Sequence, residues 1–417
     1  MMTSAIGFPG FNRTRPAGQK LSLPYINELS QLFRRRGSTW VDIKEEFGAK
    51  GNNTGNDRPN IMQAIAHLQS KGGGTIYFPP GIYPISNSIG LGNTPMSNIQ
   101  FVSAPGNSAV IKSLGNYAPF AGSLYRSRID GLTLEANDLG APAANLHMVE
   151  STLSDCVLDG WNGSGLRLND GTYGDVGLLN YVLRNHIVQN TGIGIFQTYR
   201  WIDSWIMDNN IGSTDANLSL EGGPLRVLGN HLNGAPLRNI DLRGNKRIII
   251  LSNILEGSRE EAIRYLMPSW LTEDSPQVVI SANNFSNGGK AAAGVHPAIR
   301  IKGVSAAAMV EGFSIVSNLF ACEDAGSGWS HAVHFEDAKD SVVSANQWEG
   351  GYTVSPIGRY GAWGGIQSSG NTSDNDGNNI FVQQTDPELD FPLSGPAIWY
   401  KTDSTGKVTN KYMRNVT

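Results

Sequence analysis

An apolar residue, two spacers, an Asn, one spacer and a second apolar residue recur along the chain, clearly at 182–187, 206–211, 227–232, 250–255, 280–285, 315–320 and 343–348. The Asn positions are Asn185, Asn209, Asn230, Asn253, Asn283, Asn318 and Asn346, with weaker copies at Asp130, Asp155 and Asn371. Spacings of this size belong to solenoid repeats, in which one structural unit stacks on the next. Between copies lie short alternating aliphatic stretches, such as NIDLRGN at 239–245 and AIRIKG at 298–303. No apolar pattern of helical period recurs, so the unit is read as a β coil. Stacked coils place like residue on like residue about 4.8 Å apart. The recurring Asn then predicts a sharp corner: it tolerates the left-handed conformation, and its amide can bond the copy in the next coil.

The pattern divides the chain into an arm over 1–40, a solenoid over 41–380 and a C-terminal hairpin segment over 381–417. In the arm, Pro9, Pro16 and Pro24 precede a helical spacing of Ile26, Leu29, Leu32 and Phe33 that ends in Arg34, Arg35 and Arg36, a suitable close for a helix dipole. At the solenoid's start, Ile61, Ile65 and Leu68 form one helix stripe behind Asp57 and Pro59, which suits a cap over the open apolar end of the first coil. At the far end, strands at 397–401 and 407–413 flank the turn-forming 403–406.

The opening reads VDIKEEFGAKGNNTGND at 41–57, IMQAIAHLQS at 61–70 and GGGTIYFPPGIYPIS at 72–86. It resembles the start of the pectate-lyase superfamily. The resemblance implies an all-β right-handed parallel β-helix (a solenoid) with an N-terminal capping helix and short terminal appendages. It covers the first quarter of the chain and is specific for fold, saying little about chemistry. Where that family shows Asp-Gly and a paired Asp, this chain has Asn52, Asn53 and Asn56 and keeps Asp57.

The 417 residues would ordinarily suggest several domains, but a solenoid grows in one dimension and escapes that rule. The 50 glycines suit a turn-rich β protein, and a net charge of −4 offers no basic excess for nucleic acid. Cys156 and Cys322 are separated by many coils, so no disulfide is expected. No secretory signal opens the chain and no membrane-length apolar run appears, so a leaderless soluble protein without membrane insertion is expected.

Aligning the strands GLRLN (165–169), GIGIF (192–196), NLSLE (217–221), NIDLR (239–243), AIRYL (262–266), AIRIK (298–302) and AVHFE (332–336) yields two outward columns. The first is Arg167, Gly194, Ser219, Asp241, Arg264, Arg300 and His334. The second is Asn169, Phe196, Glu221, Arg243, Leu266, Lys302 and Glu336. Loops beside them bring Tyr173, Tyr199, Trp201, Trp205, Trp270 and Trp329. Aromatic faces beside carboxylates and guanidinium groups suit a long polar sugar chain, so Arg167, Tyr199, Trp201, Arg243, Arg264, Trp270, Arg300 and His334 are the expected substrate contacts. Core packing of these rings and mutual pairing of these charges is the competing reading.

Glu221 and Asp241 form the candidate catalytic pair. One strand step of about 4.8 Å and a two-residue offset of roughly 6.7 Å place them about 8 Å apart, within the ~6.5–9.5 Å separation of an inverting glycosidase. One would protonate the leaving oxygen and the other would activate water. Asp203, Glu260, Glu261, Asp274 and Glu336 are alternative acids. No metal-ligand spacing, nucleophile elbow or phosphate loop appears, and no cofactor is expected.

A leaderless β-helix ending in AIWYKTDSTGKVTNKYM resembles phage tail spikes and minor tail proteins. That resemblance implies a homotrimer on the virion that binds, and often cleaves, bacterial surface polysaccharide, with residues 1–40 docking to the tail. A non-enzymatic receptor-binding protein, a fructan-acting β-helix transferase and a polysaccharide lyase remain open alternatives.

Overall fold

The structure, a computed structural model, describes residues 39–373 except 91–94, 138, 160, 161, 163, 170–175, 199, 235, 245, 246, 272–275, 325, 350–356 and 370, together with the strands at 381–383, 397–402 and 408–414. Nearly all of the expected N-terminal arm lies outside the described residues. Each coil contributes one short strand to each of three parallel sheets, which hold 13, 12 and 12 strands among the described residues. Sheet I runs from Trp40–Asp42 to Gln367–Ser369, and sheet II from Gly81–Ile85 to Thr372–Ser373. Sheet III includes Leu166–Leu168, Ile195–Gln197, Ala216–Leu220, Arg238–Arg243, Ile263–Leu266, Ile299–Lys302 and Val333–Lys339. The order is that of a parallel β-solenoid.

Inward residues stack in register along the axis. On sheet II the column Leu134, Leu158, Ile187, Ile211, Leu232, Leu255, Phe285, Phe320 and Trp348 is buried, with Phe285 and Phe320 parallel at 4.5 Å. At the open end, helix α1 (Arg58–Ser70) lays Ile61, Ala64, Ile65 and Leu68 over the first coils, fully buried. Asp57 stands at the helix start, but its carboxylate accepts from the Lys50 and Gly51 amides at 2.7 and 3.0 Å, tying down the preceding loop. Both cysteines are free, and burial pushes the Cys156 thiol up to about 12.

The recurring Asn stands at the corner from sheet I to sheet II. Each Oδ1 accepts from the backbone N–H and the Nδ2 of the Asn one coil earlier: Asn230 donates both to Asn253 at 2.9 Å. Each Nδ2 also donates to a carbonyl of the preceding coil, as Asn253 does to Val227 at 2.9 Å. This buried ladder runs unbroken from Asn185 to Asn371. The left-handed residue, however, is the one before the Asn: Arg184, Asp208, Gly229, Ser252, Ala282, Ser317 and Ala345 have φ between 52° and 65°. The chain reverses one residue early because the Asn side chain must point inward along the axis. For the same reason Asp130 and Asp155 are not rungs. Asp155 is itself left-handed and pairs with Arg184, while Cys156 takes the rung position, its N–H donating to Asn185 Oδ1 at 3.0 Å.

A second ladder closes the corner from sheet III to sheet I. The Ser127 and Ser151 hydroxyls, the Asn180 amide and the Ser204 hydroxyl accept in turn from the amides of Ile99, Ser127, Ser151 and Asn180. Mixed Ser and Asn rungs hide this periodicity from the sequence. Beyond the coils, Ala397–Thr402 pairs antiparallel with Val408–Arg414 and parallel with Phe381–Gln383.

Candidate functional site

Backbone pairing orders the outward face of sheet III. One column reads Asn145, Arg167, Phe196, Ser219, Asp241, Arg264, Arg300, His334 and Gly358. The next reads Arg243, Leu266, Lys302, Glu336 and Tyr360. Phe196, not Gly194, therefore stands in the first column. Gly194 belongs to the turn before the strand, where a Cβ would lie 2.5 Å from Ile211 Cγ2 and 2.6 Å from the Asn217 carbonyl oxygen. The sequence alignment matched the wrong isoleucine of GIGIF. Asn169 likewise lies just past its strand, in a left-handed conformation.

The charges on this face pair with one another. The Asp241 carboxylate, 5% exposed, accepts from Arg264 Nε and Nη2 at 2.8 and 3.0 Å and from Arg243 Nη2 at 3.0 Å. Three of about four acceptor sites on that carboxylate are thereby occupied. Glu261 is buried between Arg238 Nε at 3.0 Å and Arg300 Nη1 at 3.5 Å, and Arg238 also binds Glu260. Glu336 accepts from Arg300 Nη2 at 2.8 Å and from Lys302. Burial alone would raise the Glu336 pKa, but these two hydrogen bonds outweigh it and hold the carboxyl below the usual range.

Glu221 follows the strand that ends at Leu220, with its amide bonded to the carbonyl and the side-chain oxygen of Gln197. The pairing of Ser219 with Asp241 keeps Glu221 one coil away from Asp241 and two residues on. Among the described residues no basic side chain pairs with its carboxylate. At the far end His334 packs edge-on against His331 at 5.1 Å and roughly parallel to Tyr360 at 6.4 Å. Burial, then the neighbouring His334, pushes His331 down to about 4. Burial, then Arg300, lowers His334 as well.

The aromatic candidates separate sharply. Trp270 is 76% exposed, in the loop that follows the sheet III strand Ile263–Leu266. Trp201 and Trp329 are fully buried, a correction to their expected place on the surface, because their rings fill the core beneath the loops. Trp205 lies on sheet I, stacked on Tyr181 at 4.6 Å and covered by Arg226 at 5.0 Å. Arg167 lies over the Phe196 ring at 5.7 Å. Asp203 occupies the left-handed corner between sheets III and I. Tyr173, Tyr199 and Asp274 lie outside the described residues. Tyr360, 70% exposed at the end of the second column, was not foreseen. The alternation that flagged the other outward residues would have included it had its strand been aligned.

Residues 40–148 match the family model described as rhamnogalacturonase A/epimerase, pectate lyase-like. With the three parallel sheets, this decides the architecture. The chain folds as a right-handed parallel β-solenoid whose first coils match a pectate-lyase-like family. Among curated relatives, a 143-residue stretch of the chain is 29% identical to mannuronan C5-epimerase AlgE1 of Azotobacter vinelandii. The match covers 34% of this chain and 10% of that protein, so the solenoid spans only a small part of the relative's length. The Dettilon tailspike protein superposes with a TM-score of 0.63 at 12% identity, over 79% of this chain and 68% of that one. PfbA, a surface adhesin of Streptococcus pneumoniae, superposes with a TM-score of 0.58 at 15% identity, over 89% and 94%. At such identities the shared feature is the fold, and the solenoid's function has to be argued from its own faces.

Proposed function

We propose that this solenoid binds an extended polysaccharide along the outward face of sheet III and hydrolyses it, acting on bacterial surface glycan as a homotrimeric tail spike does. The observation that carries the reading is the succession of two clusters of paired charges, Asp241 with Arg243 and Arg264 and then Arg300 and Lys302 with Glu261 and Glu336, along sheet III, with the exposed rings of Trp270 and Tyr360 beside them. Ring faces take the apolar side of a sugar, while guanidinium and carboxylate groups take its hydroxyls.

In the hydrolytic step the acceptor site left on Asp241 receives a proton from the attacking water. Glu221 delivers a proton to the leaving glycosidic oxygen. Arg264 and Arg243 fix the Asp241 carboxylate in place for that role. Residues 1–40 would dock the spike to a phage tail. Light scattering tests the trimer, and the monomer mass at micromolar concentration would contradict it.

Glu221→Gln and Asp241→Asn, made separately, test the pair. Each is expected to leave a cleavable glycan long while retaining it on the protein. Full cleavage by both variants removes the assignment. One observation favours a second reading, in which the face binds without cleaving: Asp241, Glu261 and Glu336 each already hold two basic partners. That reading predicts retention of the glycan with no shortening by the unmodified protein.

A further inference from the structure

We infer that sheet I carries a second carbohydrate subsite, a notch one ring wide above Thr152, between Arg128 and Tyr181, that takes a neutral pyranose. One outward column of sheet I reads Gln100, Arg128, Thr152, Tyr181, Trp205 and Arg226 in register. From Tyr181 onward it is a continuous stack, with the Tyr181 and Trp205 rings 4.6 Å apart and inclined by 10°, and the Arg226 guanidinium 5.0 Å from the Trp205 centroid. Both faces of Trp205 are therefore taken. Tyr181 has one face on Trp205 and the other turned toward Thr152, and it is 39% exposed.

The stack stops there because threonine is too short to continue it. From the Arg128 strand to the Tyr181 strand is two steps, roughly 9.6 Å. A ring between them needs van der Waals contact of about 3.5–4.0 Å on each side, so one ring fits and two do not. The notch offers an open phenol face for the C–H face of a sugar and a polar rim for its hydroxyls. Arg128 donates to Asp130 Oδ1 at 2.7 Å and to Ser154 Oγ at 3.2 Å, and Arg184 holds Asp155 at 2.6 and 2.8 Å. Two cations face two anions along this rim, so a charged sugar gains no net attraction and a neutral hexose is the better fit. Thr152 Oγ1 has no partner among the described residues and faces the same space.

The sugar's identity rests on the polysaccharide reading, but the subsite lies on a different face from the proposed hydrolytic pair. Its test reads the notch alone. In protein carrying ring-labelled tyrosine, the Tyr181 resonance is assigned by its loss in Tyr181→Phe. It is then followed during titration with millimolar cellohexaose and, separately, with a mannuronate hexamer. We expect a saturable shift with the neutral hexamer, at least about tenfold weaker binding of the charged one, and no shift in Thr152→Trp, whose indole fills the notch by extending the stack. A Tyr181 resonance that does not move, moves equally in Thr152→Trp, or answers the charged hexamer better overturns the proposal. Loss of the sheet III reading would appear instead as glycan left long by a protein whose Tyr181 resonance still shifts.

Discussion

Sheets I and III are wound from the same coils over one shared buried core, yet their outward faces differ. Across four successive coils sheet I presents Leu183, Met207, Leu228 and Leu251 in register, beside the ring stack of Tyr181 and Trp205. Sheet III presents Arg243, Leu266, Lys302 and Glu336, beside Asp241, Arg264, Arg300 and His334. With neighbours about 4.8 Å apart, apolar groups are satisfied by stacking like on like, whereas charges are satisfied only by alternating sign. The scaffold tolerates either solution. Outward chemistry is therefore free to diverge from face to face: sheet III can meet a hydroxyl-rich ligand with alternating donors and acceptors, and sheet I with an aromatic ring face.

The largest effect should come from breaking what the two faces share. Asn253→Leu removes an acceptor for two Asn230 donors and a donor to Val227, Leu251 and Asn283, leaving buried amide groups unpaired. A loss of about 3 kcal/mol in urea unfolding is expected, with glycan retention per folded molecule unchanged. A change confined to sheet III should instead show in cleavage, with retention kept. Asp241→Asn should slow glycan cleavage at least about 100-fold in a reducing-end assay. Smaller still, Trp270→Ala should weaken glycan retention roughly tenfold, read by affinity electrophoresis, while moving stability by less than ~0.5 kcal/mol because the ring is exposed.

The smallest effect concerns pH, and it too separates the faces. His331 has its pKa lowered to about 4, so the folded state binds its proton less readily than the unfolded chain. Its stabilising effect is complete above the ordinary histidine value of about 6.5 and is lost as pH falls toward 4. Glu336, also depressed, contributes above the ordinary carboxylate range and loses that contribution at still lower pH, as acid falls through its folded pKa. Thermal melts between pH 7 and 4 should therefore show an acid-side decline that His331→Asn flattens and Leu228→Ala, on sheet I, does not.

How much of this was legible in the sequence follows from the same contrast. The Asn ladder was readable because each rung needs the same side chain to bond its neighbours, so the residue repeats. The companion ladder of Ser127, Ser151, Asn180 and Ser204 was missed because hydroxyl and amide serve alike as acceptors there. On sheet III, alternation placed Asp241, Arg264, Arg300 and His334 correctly in one column. It failed at Gly194, where a turn next to the strand mimics its spacing. Burial of Trp201 and Trp329 could not be read, because a loop ring points into the core or out to solvent according to loop geometry that no period records. The pairing of Asp241 with both Arg243 and Arg264 depends on rotamers and was visible only as a competing reading.

The most direct test of a glycan-binding sheet III is a panel of bacterial surface polysaccharides, each incubated with the unmodified protein and with Asp241→Asn, then measured for both retention and chain length. The account predicts at least one polysaccharide that both proteins retain and only the unmodified protein shortens. A panel in which the unmodified protein neither retains nor shortens any polysaccharide would contradict it.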